Sequence, residues 1–519
     1  MAEGNLGAAL SELQRGKPRQ ALSPGRVALA QAPGGAAALQ LMGVAFRQLN
    51  DLAAAAQFFA RAAAVSPQAG AAWGALGSVL ADAADLAAAR APLRRALASE
   101  PSNGSLLATY SLVADGRSDY PNIGVLRRAV AADPQDARFR GNLAIALRRQ
   151  GKLSQGESAS RAALAMHPAL QQVLNNFVLL EIKKRQPKTA ETWANRALAT
   201  DRQFAEARWN RAFVRFQLGR LEAAWEDAEA RWLLPRVQAP RQSRERRWQG
   251  EGLSGGTLWL HPEQGLGDTI QFCRYAPILA ARGARIRLTV PAPLLRLMQT
   301  LGGVEKVGVD DEASDDYDWH CPLLSVPGIL GTTVATIPAR IPYLSAPPHN
   351  PTPWRPHTET AELRVGLCWQ GNPAHHDDRD RSLRLADLAA LQGIDGVRLF
   401  ALRKEGEAVP ADWRMLDAAA WLGDMGDTAA LIGEMDLVIS CDSAVAHLAG
   451  ALGRPVWTLV TYAPDWRWPM SDAATPWYPT MRLFRQQCPG NWAAVGDEVA
   501  RTLRASIEPL RSRRGGGRS

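Results

Sequence analysis

Prolines recur at a nearly constant interval in the first part of the chain. They lie at positions 33, 67, 101, 134 and 168, so the successive intervals are 34, 34, 33 and 34 residues. The next position in phase holds Arg202, and a last proline follows at position 235. A fixed period near 34 residues is typical of a solenoid built from stacked pairs of helices. We therefore expect residues 1–235 to form a helical repeat array.

Other positions repeat in phase with the prolines and complete the pattern of a helical pair. A turn is expected at five dipeptides: Gly16-Lys17, Asn50-Asp51, Ala84-Asp85, Gly151-Lys152 and Gly219-Arg220. Alanine lets the two helices of a pair approach closely, and proline ends the second helix because it has no N–H for the hydrogen-bond ladder. No single pair buries its own apolar face, so neighbouring pairs must stack.

This array resembles the tetratricopeptide repeat family. About six full repeats lie between residues 34 and 235, and the segment from Tyr110 to Tyr120 is the most degenerate. The resemblance implies a concave groove that binds a peptide or a protein. Core packing is the simpler explanation for each Leu and Trp of the array.

Targeting signals and cysteine use narrow the class of protein. No apolar run reaches the ~18 residues that a membrane helix needs, and the N-terminal residues 1–5 do not resemble the start of a signal peptide. Five cysteines are scattered and form no CxxC pair: Cys273, Cys321, Cys368, Cys441 and Cys488. This pattern argues against a disulfide framework and is typical of a reducing compartment. We expect a cytoplasmic protein without a membrane span.

The chain carries a net charge of +9. Part of this charge lies in residues 236–250, which we expect to be a basic linker, and in residues 511–519, which we expect to be a disordered tail. Such charge would serve contact with a nucleic acid or an anionic surface, or it would only solvate a linker and a tail. No base-stacking motif accompanies it, so we expect no nucleic-acid partner.

After residue 250 the pattern changes to short apolar runs that alternate with helical segments. Six runs are expected to be strands: 257–261, 285–290, 364–369, 397–401, 436–440 and 455–460. A helix is expected from Asp268 to Arg282, with Gly283 as its end. Such alternation indicates parallel sheets covered on both faces. A proline-rich linker over residues 346–361 interrupts it.

We therefore expect two doubly wound α/β units on either side of this linker. The first spans residues 251–345, the second spans residues 362–490, and a C-terminal helix follows over residues 491–510. Ligands of such sheets bind outside the carboxyl ends of the strands, at loops that open helices. Four segments of this kind carry unusual side chains.

The first segment runs from His261 to Thr269. Gly265 and Gly267 permit close backbone approach, and the loop delivers Asp268 to the start of a helix. Asp268 is either a functional acid or simply the N-cap of that helix.

The second segment begins with Trp369-Gln-Gly-Asn-Pro373, directly after a strand, and ends with Arg381-Ser382. An Arg-Ser pair is suited to a phosphate, because a guanidinium binds phosphate through two parallel hydrogen bonds. Four potential metal ligands lie between the two ends: His375, His376, Asp377 and Asp378. A polar loop offers neither helical nor β-hairpin ligand geometry, so we expect no metal site.

The third segment, from Ser440 to Ala449, leaves a strand and enters a helix that Asp442 or Ser443 caps. His447 lies one turn inside this helix, whose free N–H groups favour a phosphate. A capped helix with a core histidine explains the same residues equally well.

The fourth segment, from Tyr462 to Trp468, is dense in aromatic residues and is followed by Pro476-Trp-Tyr-Pro479. It contains one acid and one base. It forms either an aromatic-walled pocket or plain packing.

In this order and spacing the four segments resemble the nucleotide-sugar glycosyltransferases of the GT-B fold, and most closely the heptosyltransferase-like family 9 in its tetratricopeptide-fused bacterial form. The resemblance covers about residues 251–490 and rests on five stretches: Gly265–Phe272, Asp318–Ser325, Gly366–Pro373, Asp442–His447 and Pro464–Trp468. It implies an α-solenoid followed by an α/β GT-B fold of two Rossmann-like units, with the acceptor on the first unit and the nucleotide sugar on the second.

The resemblance also implies roles for individual residues. Asp268 matches the general base that takes the proton of the acceptor hydroxyl as this oxygen attacks the anomeric carbon. Three residues would lie on the acceptor side: Gln264, Gly265 and Gly267. The donor side would comprise Trp369, Gln370, Gly371, Asn372, Arg381, Ser382, Asp442, Ser443 and His447. Arg381 and a helix N-terminus would stabilise the leaving diphosphate without a metal, so no cofactor is expected besides the nucleotide sugar as co-substrate.

We therefore expect an inverting, metal-independent glycosyltransferase of the hexosyl or heptosyl type. Its acceptor would be a protein held by the repeats, such as flagellin or another surface protein. The family often has Thr-Gly after the acid of the third segment, whereas this chain has Ser443-Ala444, so ADP-heptose does not follow as the donor. Two alternatives stay open: a transferase acting on a saccharide or lipid-linked glycan, and a non-catalytic adaptor with a degenerate transferase region.

Overall fold

The computed structural model describes residues 2–115, 121–234, 246–309, 316–351, 353–375, 378–403 and 409–516. The chain forms two compact units. The first comprises Met1–Leu180 with Ala199–Asp201, and the second comprises Glu181–Leu198 with Arg202–Ser519. The second unit therefore includes the last helical segments before residue 234 as well as the region that follows them.

The described residues before the first strand are almost entirely helical. Their helices are α1 (Ala2–Gln14), α2 (Pro18–Gln31), α3 (Ala36–Gln48), α4 (Leu52–Val65), α5 (Gly70–Asp82), α6 (Leu86–Ser99), α7 (Gly104–Tyr110), α8 (Ile123–Ala132), α9 (Ala137–Arg149), α10 (Leu153–Met166), α11 (Gln171–Lys183), α12 (Pro187–Thr200), α13 (Ala205–Gln217) and α14 (Leu221–Ala228). A short 3-10 helix, Glu229–Leu233, follows α14. The expected array of helical pairs is confirmed.

The predicted turns between paired helices are confirmed by the backbone. The residue in the left-handed region has φ 72° at Gly16, 62° at Asn50, 61° at Ala84, 76° at Gly151 and 72° at Gly219. Glycine adopts this conformation freely, whereas a residue with a Cβ does so at a cost. Arg185, with φ 59°, takes the same conformation in a turn that the sequence did not reveal.

The prolines lie where the second helix of a pair ends. Helices α2, α4 and α10 end at Gln31, Val65 and Met166, and in each case a proline follows the single C-cap residue. The degenerate repeat contains α7, which has only 7 residues. Residues 116–120 of that repeat lie outside the described part of the chain.

Ten strands follow in the second unit, counted over its described residues. They are β1 (Thr257–His261), β2 (Arg285–Val290), β3 (Val304–Val309), β4 (Trp319–Pro322), β5 (Leu363–Cys368), β6 (Val397–Ala401), β7 (Met415–Asp417), β8 (Leu437–Cys441), β9 (Val456–Val460) and β10 (Met481–Arg485). Every pairing between them is parallel. They form a four-stranded sheet with the order β3-β2-β1-β4 and a six-stranded sheet with the order β10-β9-β8-β5-β6-β7.

Helices connect these strands. They are α15 (Leu266–Phe272), α16 (Ala276–Ala281), α17 (Leu295–Met298), α18 (Val326–Ile329), α19 (Arg355–Thr358), α20 (Asp378–Arg381), α21 (Met425–Glu434), α22 (Ala444–Ala451) and α23 (Trp492–Gly516). The alternation of strands and helices in parallel sheets is confirmed.

The six predicted strands are present, and four strands were missed. β4 and β7 contain only 4 and 3 residues, which is too short for a clear apolar run. β3 and β10 are edge strands of their sheets and carry charged side chains, such as Lys306 and Arg482. Edge strands need less apolar sequence because one side is not covered by another strand.

The predicted continuous helix over residues 268–282 is wrong. α15 ends at Phe272, a 3-10 turn covers Cys273–Tyr275, and α16 begins at Ala276. Pro277 lies in the first turn of α16 and has no N–H to continue the ladder from α15. Gly283, with φ 96°, follows α16 as the sequence predicted.

One hydrophobic core joins both sheets and the last helical pair. It includes Leu258 of the four-stranded sheet, Val438 of the six-stranded sheet, and Phe216 and Trp225 of α13 and α14. A second core covers the other face of the six-stranded sheet and includes Leu503 of α23. The six-stranded sheet is therefore buried on both faces, as a parallel sheet requires.

The predicted basic linker and tail are only partly described by the structure. Residues 236–245 of the predicted basic linker and residues 517–519 of the predicted tail lie outside the described residues. Helix α23 continues past residue 510, where the sequence predicted its end. Among the described residues, none of the helices has the length and apolar character needed to cross a membrane.

Candidate active site

The order of the six-stranded sheet reverses between β5 and β8, which are neighbours although β6 and β7 separate them in the chain. Doubly wound sheets bind ligands at such a reversal, outside the carboxyl ends of the strands. Cys368 of β5 pairs with Ser440 of β8, so the segments that begin at Trp369 and Asp442 leave the sheet side by side. The structure thus brings the two predicted donor loops to one edge.

The loop after β5 folds back on itself. The N–H of Gly371 donates to Ser382 Oγ at 2.8 Å, and Ser382 Oγ donates to Asp378 Oδ1 at 2.9 Å. Arg381 Nε lies 3.3 Å from the same oxygen. A Cβ at position 371 would lie 2.7 Å from Asp378 Oδ1 and 3.0 Å from Arg381 Nε, so a larger residue here would displace these side chains. Gly371, Arg381 and Ser382 are therefore neighbours, and Asp378 holds them together.

The remaining predicted residues of this loop differ in exposure. The Trp369 side chain is buried in the core on one face of the sheet, and its carbonyl accepts the N–H of Leu383 at 2.8 Å. Gln370 is half-buried and Asn372 is exposed. Asn372 is thus accessible to solvent, whereas the Trp369 indole is not.

The potential metal ligands of the same loop are only partly described. Asp378 is engaged by Ser382 and Arg381. His376 and Asp377 lie outside the described residues. The prediction that this loop holds no metal stays a prediction.

Helix α22 begins where the sequence predicted, with Ser443 at the N-cap position. The Ser443 hydroxyl lies 3.0 Å from Ser440 Oγ and 3.8 Å from Cys368 Sγ. It therefore bonds back to the strands and, among the described residues, caps none of the helix N–H groups. The start of α22 keeps the polarity that favours an anion.

His447 is buried on α22. Its Nδ1 lies 2.9 Å from Tyr478 Oη, and its ring centre lies 5.4 Å from that of Trp468. Burial, reinforced by the charges of Arg467 and Arg274, lowers the pKa of His447 well below its ordinary value. The imidazole is therefore neutral and packed, as the core-histidine interpretation held.

Asp268 is the third residue of α15, because Gly265 occupies the N-cap position. The simple N-cap interpretation of Asp268 is therefore wrong, although Asp268 Oδ2 does accept the N–H of Gly265 at 2.9 Å. The other oxygen, Oδ1, accepts a short hydrogen bond from Arg467. Both carboxylate oxygens thus have a partner.

Gly267 brings α15 directly against α22. A Cβ at this position would lie 2.9 Å from His447 Cδ2 and 3.6 Å from Ala444 Cα, so only glycine allows this approach. Gln264 and Gly265 are exposed just before the contact. The acid of the first sheet is therefore held beside the loop after β8 of the second sheet.

Arg467 is a site residue to which the sequence assigned no role. Its guanidinium donates from Nε to Gln271 Oε1 at 2.6 Å, from Nη1 to Asp465 Oδ1 at 2.8 Å, and from Nη2 to Asp268. It also lies 4.5 Å from the ring centre of Trp466. Burial lowers the pKa of Arg467, but Asp465 and Asp268 outweigh burial and raise it, so the cation persists. The only signal in the sequence is an arginine between two tryptophans.

Asp442 lies between these groups and is partly exposed. Burial and the charge of Asp465 raise the pKa of Asp442 to about 6, while Trp468, Arg467 and Arg381 act in the opposite direction. Asp442 therefore takes up a proton just below neutral pH.

A second buried cluster, also missed by the sequence, adjoins the loop that carries Asp268. Arg231 of the 3-10 helix donates to Glu263 Oε2 at 2.5 Å and to Ser325 Oγ at 2.7 Å. Glu263 Oε1 also accepts the N–H of Leu324 at 3.1 Å. Burial raises the pKa of Glu263, and Arg231 opposes that effect. The cluster ties together the carboxyl ends of β1 and β4, where the four-stranded sheet reverses its order.

A cavity of about 690 Å³ lies at the other edge of the six-stranded sheet. Its lining includes Trp354, Arg364 near the start of β5, and Glu434 at the end of α21. Because doubly wound sheets bind ligands at the carboxyl ends of their strands, this cavity is not the candidate donor site.

Family comparisons agree with both parts of the chain. Residues 123–170 match the tetratricopeptide repeat model. Residues 422–491 match glycosyltransferase family 9 (heptosyltransferase). The chain is thus similar to tetratricopeptide repeat proteins in one region and to glycosyltransferase family 9 in another. The family 9 match contains Asp442, Ser443, His447 and Arg467, whereas Asp268 and the loop after β5 lie outside it.

Similar proteins include a relative that matches about three quarters of the chain and several helical repeat structures. The chain is 26% identical over 419 residues to Protein FlbA of Caulobacter vibrioides, a match that covers 74% of this chain and 69% of that protein. YrrB, described as a TPR protein with an unusual peptide-binding site, is 19% identical with a TM-score of 0.29, covering 35% of this chain and 95% of YrrB. A tetratricopeptide repeat protein from Parabacteroides merdae is 14% identical with a TM-score of 0.40, covering 44% and 92% respectively.

Proposed function

We propose that this chain is an inverting, metal-independent glycosyltransferase that transfers a sugar from a nucleotide-sugar donor to a protein acceptor. The observation that carries the proposal is the contact of Gly267 with His447, which holds Asp268 beside the loop after β8. The family 9 match covers that loop. Two parallel sheets, one with the strand order of a dinucleotide-binding fold, support a GT-B arrangement of two Rossmann-like units.

The donor is proposed to bind at the reversal between β5 and β8. Arg381 and Ser382, gathered beside Gly371, offer a cation and a hydroxyl to the diphosphate. The start of α22 adds N–H groups that Ser443 leaves uncapped. Together these groups would stabilise the negative charge that develops on the leaving diphosphate without a metal.

Asp268 is proposed as the general base. The acceptor oxygen forms a bond to the anomeric carbon while the bond from that carbon to the phosphate oxygen breaks. The hydroxyl proton passes to Asp268, and the nucleoside diphosphate leaves with the electron pair. A single displacement of this kind inverts the anomeric configuration.

A protein acceptor is proposed because the chain carries a repeat region of a kind that binds peptides and proteins. Flagellin or another surface protein is the acceptor class we would test first. The five cysteines are free, four of them buried, which suits a reaction in the cytoplasm.

Transfer is tested by incubating the full chain with nucleotide sugars and candidate acceptor proteins and measuring the intact mass of each acceptor. One acceptor should gain the mass of one sugar, and Asp268→Asn should reduce the rate at least ~100-fold. Asp427→Asn, which removes a carboxylate from an ion pair with Arg296, is the matched control and should keep the rate. If no acceptor gains mass, or if Asp268→Asn transfers as well as the parent, the proposal fails.

A shortened chain tests the acceptor class. The cut belongs before residue 181, because residues 181–198 and 202–234 belong to the same compact unit as the sheets. A chain that begins at residue 181 should lose transfer to a protein acceptor. Retained transfer would instead favour a saccharide or a lipid-linked glycan as acceptor.

One observation favours a second candidate, a nucleotide-binding adaptor without catalysis. Asp268 is paired with Arg467, so its carboxylate is already engaged before an acceptor hydroxyl arrives. Measurable turnover would contradict this candidate, and nucleotide binding without turnover would support it.

A further inference from the structure

The proposed base is blocked in the structure described here. A general base needs a free lone pair directed at the acceptor hydroxyl. Asp268 Oδ2 is occupied by the N–H of Gly265, and Oδ1 is occupied by Arg467. The first contact belongs to the start of α15 itself, so the contact that can be released to admit an acceptor is the one with Arg467.

Arg467 is shared between the two sheets. Asp465 belongs to its own loop, whereas Gln271 and Asp268 belong to α15, which follows β1 of the four-stranded sheet. The side chain is only 8% exposed, so its charge is balanced by these few partners instead of by water. A stronger anion within reach would therefore compete directly with Asp268.

The segment that carries Arg467 packs against helix α22, at whose start we place the diphosphate. Trp468, the next residue, contacts the His447 ring at a centre-to-centre distance of 5.4 Å. The charge of Arg467 contributes to the lowered pKa of His447 and opposes the rise in the pKa of Asp442, and both residues belong to the segment that opens α22. Asp268 and a diphosphate at α22 are thus alternative partners of one cation.

We propose that Arg467 is a positioning residue that couples donor binding to the release of the base. The nucleoside diphosphate part of the donor draws the guanidinium away from Asp268, and the freed carboxylate then accepts the acceptor proton. A diphosphate carries more charge than a carboxylate and binds a guanidinium through two hydrogen bonds, so it wins this competition. The donor must therefore bind before the acceptor is activated. This inference rests on the proposed function.

Competition for Arg467 has a thermodynamic consequence that needs no acceptor. If Asp268 and the diphosphate compete, removing the charge of Asp268 must tighten diphosphate binding, because coupling between two ligands of one group is reciprocal. A purely structural ion pair predicts the reverse, since its loss would loosen the site.

Isothermal titration calorimetry of the full chain with UDP, ADP, GDP and CDP measures this coupling, with the matching nucleosides as probes that lack phosphate. Asp268→Asn should bind its preferred nucleoside diphosphate about fivefold or more tightly than the parent. Arg467→Gln should bind it about tenfold or more weakly. Adding Asp268→Asn to Arg467→Gln should change nothing further, and nucleoside affinity should be the same in all variants.

Asp427→Asn is again the matched control, since it removes a carboxylate from the Arg296 ion pair and leaves Arg467 untouched. It should leave diphosphate affinity unchanged. Unchanged or weaker binding by Asp268→Asn, or an equal gain by Asp427→Asn, would overturn the coupling. So would a gain from Asp268→Asn that persists in the Arg467→Gln background.

The two proposals fail in different ways. If the parent chain binds none of the four nucleoside diphosphates, the proposed function fails and the coupling falls with it. If the parent binds one of them without the expected change in Asp268→Asn, only the coupling is wrong. Should Arg467→Gln not fold, the contrast between Asp268→Asn and Asp427→Asn decides alone.

Discussion

The hydrophobic cores of the two compact units differ in how many elements of the fold they connect. The core of the first unit is a series of small clusters between neighbouring helices, such as Leu39, Ala62 and Ala72. The core of the second unit joins both sheets to the last helical pair, so Leu258 and Phe216 belong to one cluster. In a repeat array each pair depends on its neighbours alone. A change should therefore stay local in the first unit and spread in the second.

Buried charge marks a further difference. The second unit buries the guanidinium groups of Arg231 and Arg467, and each pairs with a carboxylate from another segment, Glu263 and Asp268 respectively. A buried ion pair adds little net stability, but removing one partner leaves a costly unpaired charge. The second unit is thus the more sensitive to single polar substitutions.

The largest expected effect comes from the position of a cut. A chain that begins at residue 181 should keep the second unit folded, whereas a chain that begins at residue 236 should not fold. The longer cut removes Phe216 and Trp225 from the core and Arg231 from its buried cluster. Circular dichroism and thermal unfolding of the two chains provide the measurement. Cooperative unfolding of the chain from residue 236 would contradict a core shared with the helices.

Arg231→Ala should lower the free energy of unfolding of the second unit by about 3–5 kcal/mol. The substitution leaves Glu263 buried without its ion-pair partner. Urea denaturation measures the change. Arg355→Ala is the control, because its pair with Glu359 is 68% exposed on both sides and should cost at most ~1 kcal/mol. Equal losses of unfolding free energy in the two variants would contradict the conclusion that burial makes the Arg231 ion pair more important.

Leu39→Ala should cost about 2–5 kcal/mol and act on the first unit alone. Leu39 is 1% exposed in a cluster confined to neighbouring helices. Hydrogen exchange followed by mass spectrometry should show faster exchange around α3 and α4 and no change in the sheets. Leu288→Ala, at a residue equally buried in the joint core, should instead speed exchange in both sheets. Faster hydrogen exchange in the sheets of the Leu39→Ala variant would contradict the conclusion that changes stay local in the first unit.

Asp442→Asn should raise stability at high pH. The pKa of Asp442 is raised from 3.8 to about 6 in the folded chain by burial and Asp465, so the folded state binds this proton more tightly than the unfolded state. The resulting stability is fully present below about pH 4 and is lost as the pH rises through about 6. The variant should therefore exceed the parent in urea midpoint near pH 8, and the gap should close towards pH 4. A gap independent of pH would refute the assignment.

The smallest expected effect concerns a turn of the repeat array. Ala84→Gly should stabilise the first unit by about 0.5–1 kcal/mol, because Ala84 has φ 61° and glycine adopts this region without strain. Ala88→Gly, inside α6, is the matched control and should destabilise by about 1 kcal/mol. Thermal unfolding compares the two, and a loss of stability in Ala84→Gly would contradict the strain.

Local chemistry explains which elements were predictable. The turns at Gly16 and Asn50 and the helix ends before the prolines depend on a few adjacent residues, and they lie where the sequence predicted. β5 and β8 were predictable because both are apolar runs in the sequence, and both are buried in the structure. The edge strands β3 and β10 lack such runs, because an edge strand is not covered by a strand on one side and its own composition is less apolar.

The candidate site divides in the same way. Glycines, an Arg-Ser pair and a helix start after a strand predicted the loops around Asp268, Arg381 and Ser443. The pattern of alternating strands and helices also implied that the loops around Arg381 and Ser443 share an edge of one sheet, because parallel strands end together. The pattern did not predict which charged side chains pair with each other at the carboxyl ends of the strands.

By itself, the sequence determined the period of the repeats, the alternation of strands and helices that indicates parallel sheets, and the loops that carry polar side chains, because each is visible as a pattern within short stretches of the chain. Only the tertiary structure decided that Arg467 holds Asp268, a contact across 199 residues. It also decided that the last helices belong to the unit of the sheets. Both depend on which surfaces meet after folding, and burial then makes one guanidinium the shared partner of several acids.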